Sequence, residues 1–462
     1  MHFNNAALVM RLSFNIENIL LLFLLTLTAC SNYQPKALTE QSIHKQNATL
    51  SFAQLQILAS QIKHPLLKPV IFELSDGLSP DEAAIIAIIQ NPELRAARSK
   101  QGVADAQLLQ AGLLPNPRIA YNYATVTGGV DQGKVQGYGV SLDWEFTALL
   151  TRSNKVSAAK AEQQAINLQI AWQEWQIAQA AKLACYQLQI YDQQYALLSE
   201  SLKRLESNKE QIQKAFDQGW ATVLENSTAM SSVEALEGRM QVLLLQKQHQ
   251  QERLNRVLGQ TSGLKITYQK SDLPIELLPP SFEQLTTDLT SHRLDLLALK
   301  QGYLAQEEQV RIAILQQFPK ISLGLTQTRN NSNYYTVGAG AALSLPLFDQ
   351  NQGAIAIATA SRQQLFDEYS NRDFQSKADV AELLTTIISI NAEIKTARAG
   401  LNQLASLFNA YTTSNWEGQI DQPTYYAAWN HLIDKQVEVL TLQLHLIEAQ
   451  VALETTTGRY VL

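Results

Sequence analysis

Two short stretches of the chain alternate between apolar residues and residues that are small or polar. The first is "GYGVSLDWEF" at 137–146, and the second lies at 337–347. Because side chains along a strand point to opposite faces in turn, each stretch predicts a strand with one apolar face. The apolar sides are Tyr138, Val140, Leu142, Trp144 and Phe146 in the first stretch, and Val337, Ala339, Ala341, Leu343, Leu345 and Leu347 in the second.

A different period, of three and four residues, governs the long stretches between these strands. Apolar residues follow it at 184–205, at 380–411 and at 433–451, which predicts long helices that pack along one another. A helix over 150–216 would be roughly 100 Å long at 1.5 Å per residue, so we expect an elongated bundle or tube. An earlier helix is predicted to begin at Ser79 and Pro80, a cap and a first-turn proline, and to run to about Leu114.

The two halves of the chain repeat one plan. "NPRIAYNY" at 116–123 is matched by "FPKISLGL" at 318–325, and Phe146 is matched by Phe348, at an offset of 202 positions (348 minus 146). Each copy reads as helix, β-hairpin, long helix and return helix, so we predict a mainly α fold with a small β part. The predicted divisions are repeat 1 at 78–259, a linker at 260–280 and repeat 2 at 281–462, with β-hairpins at about 118–146 and 320–348 and helical hairpins at about 150–259 and 352–457.

The N-terminal residues have the pattern of an export signal. The apolar run "ILLLFLLTL" at 19–27 follows Arg11, and its last residue, Leu27, begins "LTAC", which ends at Cys30. The run is too short for a membrane-spanning helix and suits a signal peptide. "LTAC" resembles the lipobox of bacterial lipoproteins, so we predict a signal peptide at 1–29, a lipid on Cys30 and an N-terminal extension at 30–77; the alternative is an ordinary signal peptide with a chance cysteine.

Composition excludes several other functions. The net charge of −6 over 462 residues argues against nucleic acid as a partner, because phosphate binding needs a basic face. Cys30 and Cys185 are the only cysteines, too few for a disulfide framework or a cysteine-based zinc site. The histidines have no ligand spacing, and no Ser/His/Asp set has a recognisable context. We therefore predict no enzyme activity, no cofactor and no metal.

Taken together, these features resemble the TolC family of bacterial outer-membrane efflux proteins, specifically its lipidated members. The resemblance rests on the duplicated plan, the two P-[RK]-I hairpin starts, "LSLPLF" at 343–348 and a glycine near each helix turn. It implies a homotrimer in which three chains form a 12-stranded β-barrel continuous with a periplasmic α-barrel. It also implies an anchored outer-membrane duct that extends into the periplasm. Its partners would be outer-membrane lipid, a periplasmic adaptor (membrane fusion) protein and an inner-membrane transporter, in an efflux or type I secretion system.

The resemblance also assigns roles to the two helix turns, which would be periplasmic tips where the adaptor docks. The matching segments are Gly219, Trp220, Ala221 and Thr222 in repeat 1, and Gly418, Gln419, Ile420 and Asp421 in repeat 2. Many members have an acidic residue six positions after each glycine, at a closed aperture. Repeat 1 keeps it as Glu225, whereas repeat 2 has Thr424, so Asp421 is the alternative there. From the residues alone, these glycines are chain reversals, Thr222 and Asp421 are helix caps, and Glu225 is a solvated charge at a helix start.

Two points stay open on the sequence. The alternating strands, taken without the resemblance, could belong to soluble hairpins packed on helices; with it, Asp143 and Glu145 face a water-filled lumen. A periplasmic adaptor or a structural coiled-coil lipoprotein is the alternative to the duct. If the chain is a duct, drug, metal and protein export are all compatible with the sequence.

Overall fold

The computed structural model describes residues 33–70, 72–73, 77–130, 132–260, 267–269, 273–274, 279–416 and 420–461. The chain divides into two compact units, Met1–Ala48 and Thr49–Leu462. In the first unit, α1 spans Glu40–Gln46. The second unit contains α2 (Phe52–Gln61), α3 (Pro80–Gln90), α4 (Pro92–Gly112), β1 (Arg118–Ala124), β2 (Gly137–Glu145), α5 (Ala148–Asp217), α6 (Val223–Val257), α7 (Phe282–Thr286), α8 (Leu289–His292), α9 (Leu294–Leu315), β3 (Ile321–Arg329), β4 (Tyr335–Leu343), α10 (Gln352–Trp416) and α11 (Gln422–Thr457).

The helix predicted from Ser79 to Leu114 is in fact two helices, so that prediction was wrong. Its start is as expected, because Ser79 and Glu82 form a capping box and Pro80 occupies the first turn. The break falls at Asn91, whose side chain accepts hydrogen bonds from the N–H groups of Glu93 (2.8 Å) and Leu94 (3.2 Å). Proline at 92 disfavours a helical conformation in the residue before it, so Asn91 caps a second helix instead of continuing the first.

The four strands form one antiparallel sheet in the order β1-β2-β3-β4, with one hairpin from each repeat. Residues paired directly across an antiparallel ladder lie on the same face, so the register defines two faces. One face is apolar over most of its length: Ile119, Tyr121, Tyr123, Tyr138, Val140, Leu142, Trp144, Ile321, Leu323, Leu325, Val337, Ala339, Ala341 and Leu343, with Gln327, Arg329 and Tyr335 towards the hairpin turns. The other face is small or polar: Arg118, Ala120, Asn122, Ala124, Gly137, Gly139, Ser141, Asp143, Glu145, Ser322, Gly324, Thr326, Thr328, Thr336, Gly338, Gly340 and Ala342.

The long helices pack as two antiparallel hairpins that meet each other. α5 has 70 residues and packs against α6, while α10 packs against α11. α5 also contacts α4, α9 and α11, so it joins the two repeats. Apolar residues spaced three and four apart form the contacts, as in the cluster of Leu198, Leu205, Leu236 and Ile433. None of the helices in the described ranges combines the length and the hydropathy that a membrane-crossing helix needs.

The duplication is visible where each return helix ends. Gly259 and Gly458 follow α6 and α11, and both have a left-handed backbone, with φ of 67° and 66°. A Cβ at Gly259 would lie 2.5 Å from the carbonyl oxygen of Gln90, and one at Gly458 would lie 2.5 Å from that of His292. Gln90 and His292 are themselves 202 positions apart (292 minus 90). Each repeat therefore closes with the same contact.

Candidate functional site

The turn between α5 and α6 is a tight reversal built around Gly219. Its φ of 78° lies in the left-handed region that glycine adopts without strain. The N–H of Trp220 donates to the carbonyl of Ala215 (2.8 Å), which ends α5. Trp220 is 83% exposed. In the second turn Ile420 and Asp421 are described, whereas Gly418 and Gln419 lie outside the described residues.

The two candidate acids lie at the starts of the two return helices, and each forms a helix cap together with a threonine. The acid and the threonine have opposite roles in the two repeats. Thr222 caps α6, and the Glu225 carboxylate accepts from the N–H (2.7 Å) and hydroxyl (2.8 Å) of Thr222. In repeat 2, Asp421 is the cap and accepts from the N–H of Thr424 (3.0 Å). Each return helix thus begins with one threonine and one acid three residues apart, in opposite order. Position 424, where an acid was expected, is a threonine, and the carboxylate lies three residues earlier at Asp421. Each return helix therefore still has one negative charge at its start.

The Asp421 carboxylate is held in its charged form. Hydrogen bonds from the side chain and then the backbone of Thr424 lower the pKa of Asp421. The positive end of α11 favours the same state. Asp421 is exposed, and Glu225 is half-buried.

The two turns are joined by one core. Ala221 and Ile420 both pack against a cluster that contains Tyr425, Tyr426 and Trp429. Phe408 on α10 lies 5.5 Å from both Tyr425 and Trp429, measured between ring centroids. The structure therefore brings together Ala221 and Ile420, one tip residue from each repeat, and leaves the Trp220 side chain on the surface.

A series of polar pairs extends from this core along the contact between α5 and α11. The pairs are Asn208 with Tyr426, Gln194 with Thr441 (3.1 Å), Gln187 with Glu448 (2.7 Å) and Lys182 with Glu454 (3.2 Å). As residue numbers fall on α5, they rise on α11, as expected for antiparallel helices. The contact between the repeats is thus hydrogen-bonded at intervals. These residues could not be singled out in the sequence, because pairs more than 200 positions apart have no local pattern.

Asp143 and Glu145 lie on the small, polar face of the sheet. Asp143 is paired with Arg118 on β1 and Gly324 on β3, and the Ser141 hydroxyl donates to its carboxylate (3.2 Å). A side chain at Gly324 would collide with the Asp143 carboxylate. Both acids are half-buried in the single chain. On the opposite face, Leu325 and Val337 are exposed.

The helices enclose a groove whose lining is partly polar and partly apolar. The groove has a volume of about 840 Å³ and is bordered by α4, α5, α9 and α10. Its walls are mostly alanine and glutamine, with charged side chains at Lys155, Glu162, Asp295, Glu368 and Arg372. Among the described residues, no three His, Cys, Asp or Glu side chains come close enough to hold a metal ion.

The comparisons with known proteins agree with one another. The family of Outer membrane efflux proteins matches residues 285–459, within repeat 2. Among solved structures, CusC is 16% identical with a TM-score of 0.70 over 86% of this chain and 98% of that one. The CmeC outer membrane channel of Campylobacter jejuni is 15% identical with a TM-score of 0.70, over 93% and 95%. The outer membrane protein VceC of Vibrio cholerae is 18% identical with a TM-score of 0.69, over 83% and 97%.

No protein of curated function matches the chain by sequence. The chain nevertheless has the fold of these outer-membrane channels over most of its length. The predicted fold class, mainly helical with long helical hairpins and a four-stranded antiparallel sheet, is therefore confirmed.

Proposed function

We infer that this chain is an outer-membrane efflux channel of the TolC type. It is the exit duct through which solutes pass from an inner-membrane transporter and a periplasmic adaptor to the exterior, in an efflux or type I secretion system. The observation that carries the inference is a sheet with one apolar and one polar face, joined to two long helical hairpins. The match of repeat 2 to the efflux family supports it. The function is transport, not catalysis.

The faces of the sheet indicate its surroundings. Exposed apolar side chains such as Leu325 (58%) and Val337 (82%) suit contact with lipid. Small and polar side chains on the opposite face suit water, which supports a lumen-facing position for Asp143 and Glu145. The alanine- and glutamine-rich groove between the helices would continue this path.

The edges of the sheet argue for a trimer. In the described chain, β1 and β4 each pair on one side only. Their free backbone N–H and C=O groups would be costly in lipid. If three copies joined β4 of one chain to β1 of the next, the four strands of each chain would give a closed sheet of twelve, with no free edge.

A lipid on Cys30 would hold the N-terminus in the same membrane. Cys30 lies outside the described residues, so this proposal rests on "LTAC" and the apolar run before it. We propose that residues 1–29 are removed and that Cys30 begins the mature chain.

The mass of the extracted particle tests the trimer and the lipid together. The protein is expressed from the full-length sequence and extracted in detergent. We expect native mass spectrometry to find particles of three chains, each beginning at Cys30 with a lipid adduct. Cys30→Ser is expected to keep three chains and lose the adduct. A particle of one chain would contradict the closed sheet, whereas an unmodified Cys30 in a trimer would contradict only the anchor.

The tips are proposed as the adaptor-docking end and the periplasmic aperture. Exposed Trp220, together with Ala221, Thr222, Ile420 and the flanking Gly219, Gly418 and Gln419, would supply the docking surface. Glu225 and Asp421 from three chains would place six carboxylates around the aperture, where they would attract cations.

Neutral substitutions at the two acids should weaken cation selectivity. Glu225→Gln preserves the capping box, and Asp421→Asn preserves the cap, so each removes charge with little effect on the fold. An exposed carboxylate attracts cations through solvent, so its loss lowers the local cation concentration by roughly a few-fold at contact distance. We therefore expect a lower cation-to-anion permeability ratio, measured from the reversal potential in a salt gradient.

Glu234→Gln is the matched control for this experiment. Glu234 is an exposed acid on the same helix, nine residues beyond Glu225 and on the opposite helix face at 100° per residue. It should leave the permeability ratio unchanged. Equal ratios in wild type, Glu225→Gln and Asp421→Asn would remove both acids from the conducting path.

A further inference from the structure

A short segment, residues 62–70, crosses the helices near the junction of the two repeats; we call it the strap. Ile62 and Leu67 pack against Ala84, Ile88 and Ala178, which belong to α3 and α5. Leu66 and Leu67 also contact a cluster formed by Trp172, Trp175 and Leu294. The strap is therefore held by apolar contacts on three helices, and it connects the N-terminal part of the chain to them.

One histidine organises the strap. The Nδ1 atom of His64 accepts hydrogen bonds from the N–H groups of Leu66 (3.1 Å) and Leu67 (3.2 Å). Its Nε2 atom lies 2.9 Å from the carbonyl oxygen of Ala171 on α5. Only the neutral ring with its proton on Nε2 satisfies all three bonds, because Nδ1 must accept and Nε2 must donate. The side chain is 3% exposed, so water does not replace a lost partner.

The charged groups around the ring do not offer Nδ1 a new partner. Glu174 on α5 lies 3.7 Å from Nε2, on the opposite side of the ring, and it is already bound by Arg98 on α4 (2.7 Å). Within the strap, Lys63 is exposed and Lys68 lies over the ring of Tyr460, in the segment after α11. The contacts from α3 and α9 are apolar: Ala84, Ile88, Leu294 and Leu297.

We propose that His64 is a proton-sensitive clamp, which docks the strap on the helices when it is neutral and releases it when it is protonated. Protonation would turn Nδ1 from an acceptor into a donor that faces two N–H donors. It would also place a positive charge in a buried site. The attraction to Glu174 is reduced because Arg98 already neutralises that carboxylate.

The pKa of His64 in the docked strap determines how docking depends on pH. Burial lowers the pKa of His64 below 6.5, and this outweighs the opposite effects of the Ala171 carbonyl and Glu174. In the released strap, the pKa is close to the unperturbed value of about 6.5. Docking is thus fully favourable above pH 6.5 and weakens as the pH falls towards the lower, docked-state pKa. At pH 5.5 the ratio of docked to released strap should fall by up to about tenfold.

Hydrogen–deuterium exchange at the amides of Leu66 and Leu67 tests this clamp in the detergent-extracted full-length protein. Labelling at pH 7.5 and 5.5, with times scaled to intrinsic exchange, gives a protection factor at each pH. We expect protection of both amides in the wild type to fall by up to about tenfold at the lower pH. Protection in the middle of α5, at Leu188, should not change.

His64→Asn is the matched control. Its side-chain oxygen can accept from the same two amides, as in an Asx turn, and it does not titrate. Protection in this variant should be the same at both pH values, which separates His64 from His292 and the other histidines. No fall in the wild type, or equal falls in wild type and variant, would overturn the proposal.

A second readout needs no variant. Exchange of the imidazole Cε1 hydrogen, followed by mass spectrometry across pH, gives the pKa of His64 in the wild-type protein. A midpoint below 6.5 supports the clamp, and a midpoint at or above 6.5 overturns it. Neither readout depends on channel activity. The experiments therefore test the clamp independently of the proposed duct function.

Discussion

Replacement of Glu454 by leucine is expected to lower the free energy of unfolding by about 3–5 kcal/mol. The Glu454 side chain is fully buried on α11, 3.2 Å from the Lys182 ammonium on α5, and it accepts from the N–H of Val461 (2.8 Å). Removal of the carboxylate would leave Lys182 buried beside Tyr460 without its closest counter-charge. Thermal unfolding of the extracted protein, followed by circular dichroism, measures the loss.

The double variant Lys182→Met/Glu454→Leu separates the two causes of that loss. If the unpaired charge dominates, the double variant should be more stable than either single variant, because an apolar pair can replace a buried ion pair at little cost. A double variant as unstable as the sum of the two single variants would show that packing, not charge, causes the effect. A loss below about 1 kcal/mol in Glu454→Leu would contradict the buried pair itself.

We expect Gly259→Ala and Gly458→Ala to lower the stability of the protein, through strain at the ends of α6 and α11. Each would place a side chain on a left-handed backbone, at about 1–2 kcal/mol. Each would also bring Cβ to 2.5 Å from a backbone carbonyl oxygen, of Gln90 or His292, which cannot rotate away as a side chain could. We expect both melting temperatures to fall clearly, because the total exceeds the backbone penalty alone.

Gly238→Ala controls for the loss of glycine itself. Gly238 lies inside α6, and a Cβ added there would meet no atom within 4 Å apart from its chain neighbours and the backbone of its own helix. Alanine is the better helix former by about 0.5–1 kcal/mol, so this variant should be slightly more stable than the wild type. If Gly259→Ala behaved like Gly238→Ala, the tight closure of the repeats would be wrong.

The parts of the fold with a short period could be predicted from sequence. The strand of residues 137–145 was visible because Val140 and Leu142 alternate with Ser141 and Asp143, and the long helices because their apolar residues recur every three or four positions. Helix starts were visible at Ser79 and Thr222, since caps depend on neighbouring residues. The apolar pattern continues across Asn91 and so predicts one helix there, although Pro92 signals the break.

The parts that depend on distant pairs could not be predicted. Lys182 and Glu454 each look like an ordinary helix-surface charge in the sequence, and only the packing of α5 on α11 buries them together. His64 lies in a segment without periodicity, and its contact with the Ala171 carbonyl on α5, 107 positions away, becomes evident only in the structure.

At the tips, by contrast, the caps at Thr222 and Asp421 were predicted from neighbouring residues, and the structure confirms both. The roles of Glu225 and Asp421 at an aperture stay predictions.

Single-channel recording of the detergent-extracted protein in planar lipid bilayers tests the duct most directly. We expect discrete current steps of uniform size, each due to one trimer inserted through its closed sheet, with a preference for cations. The same preparation should be shown beforehand to contain three folded chains per particle. The absence of any steps from such particles would contradict the conclusion that the chain forms an outer-membrane channel.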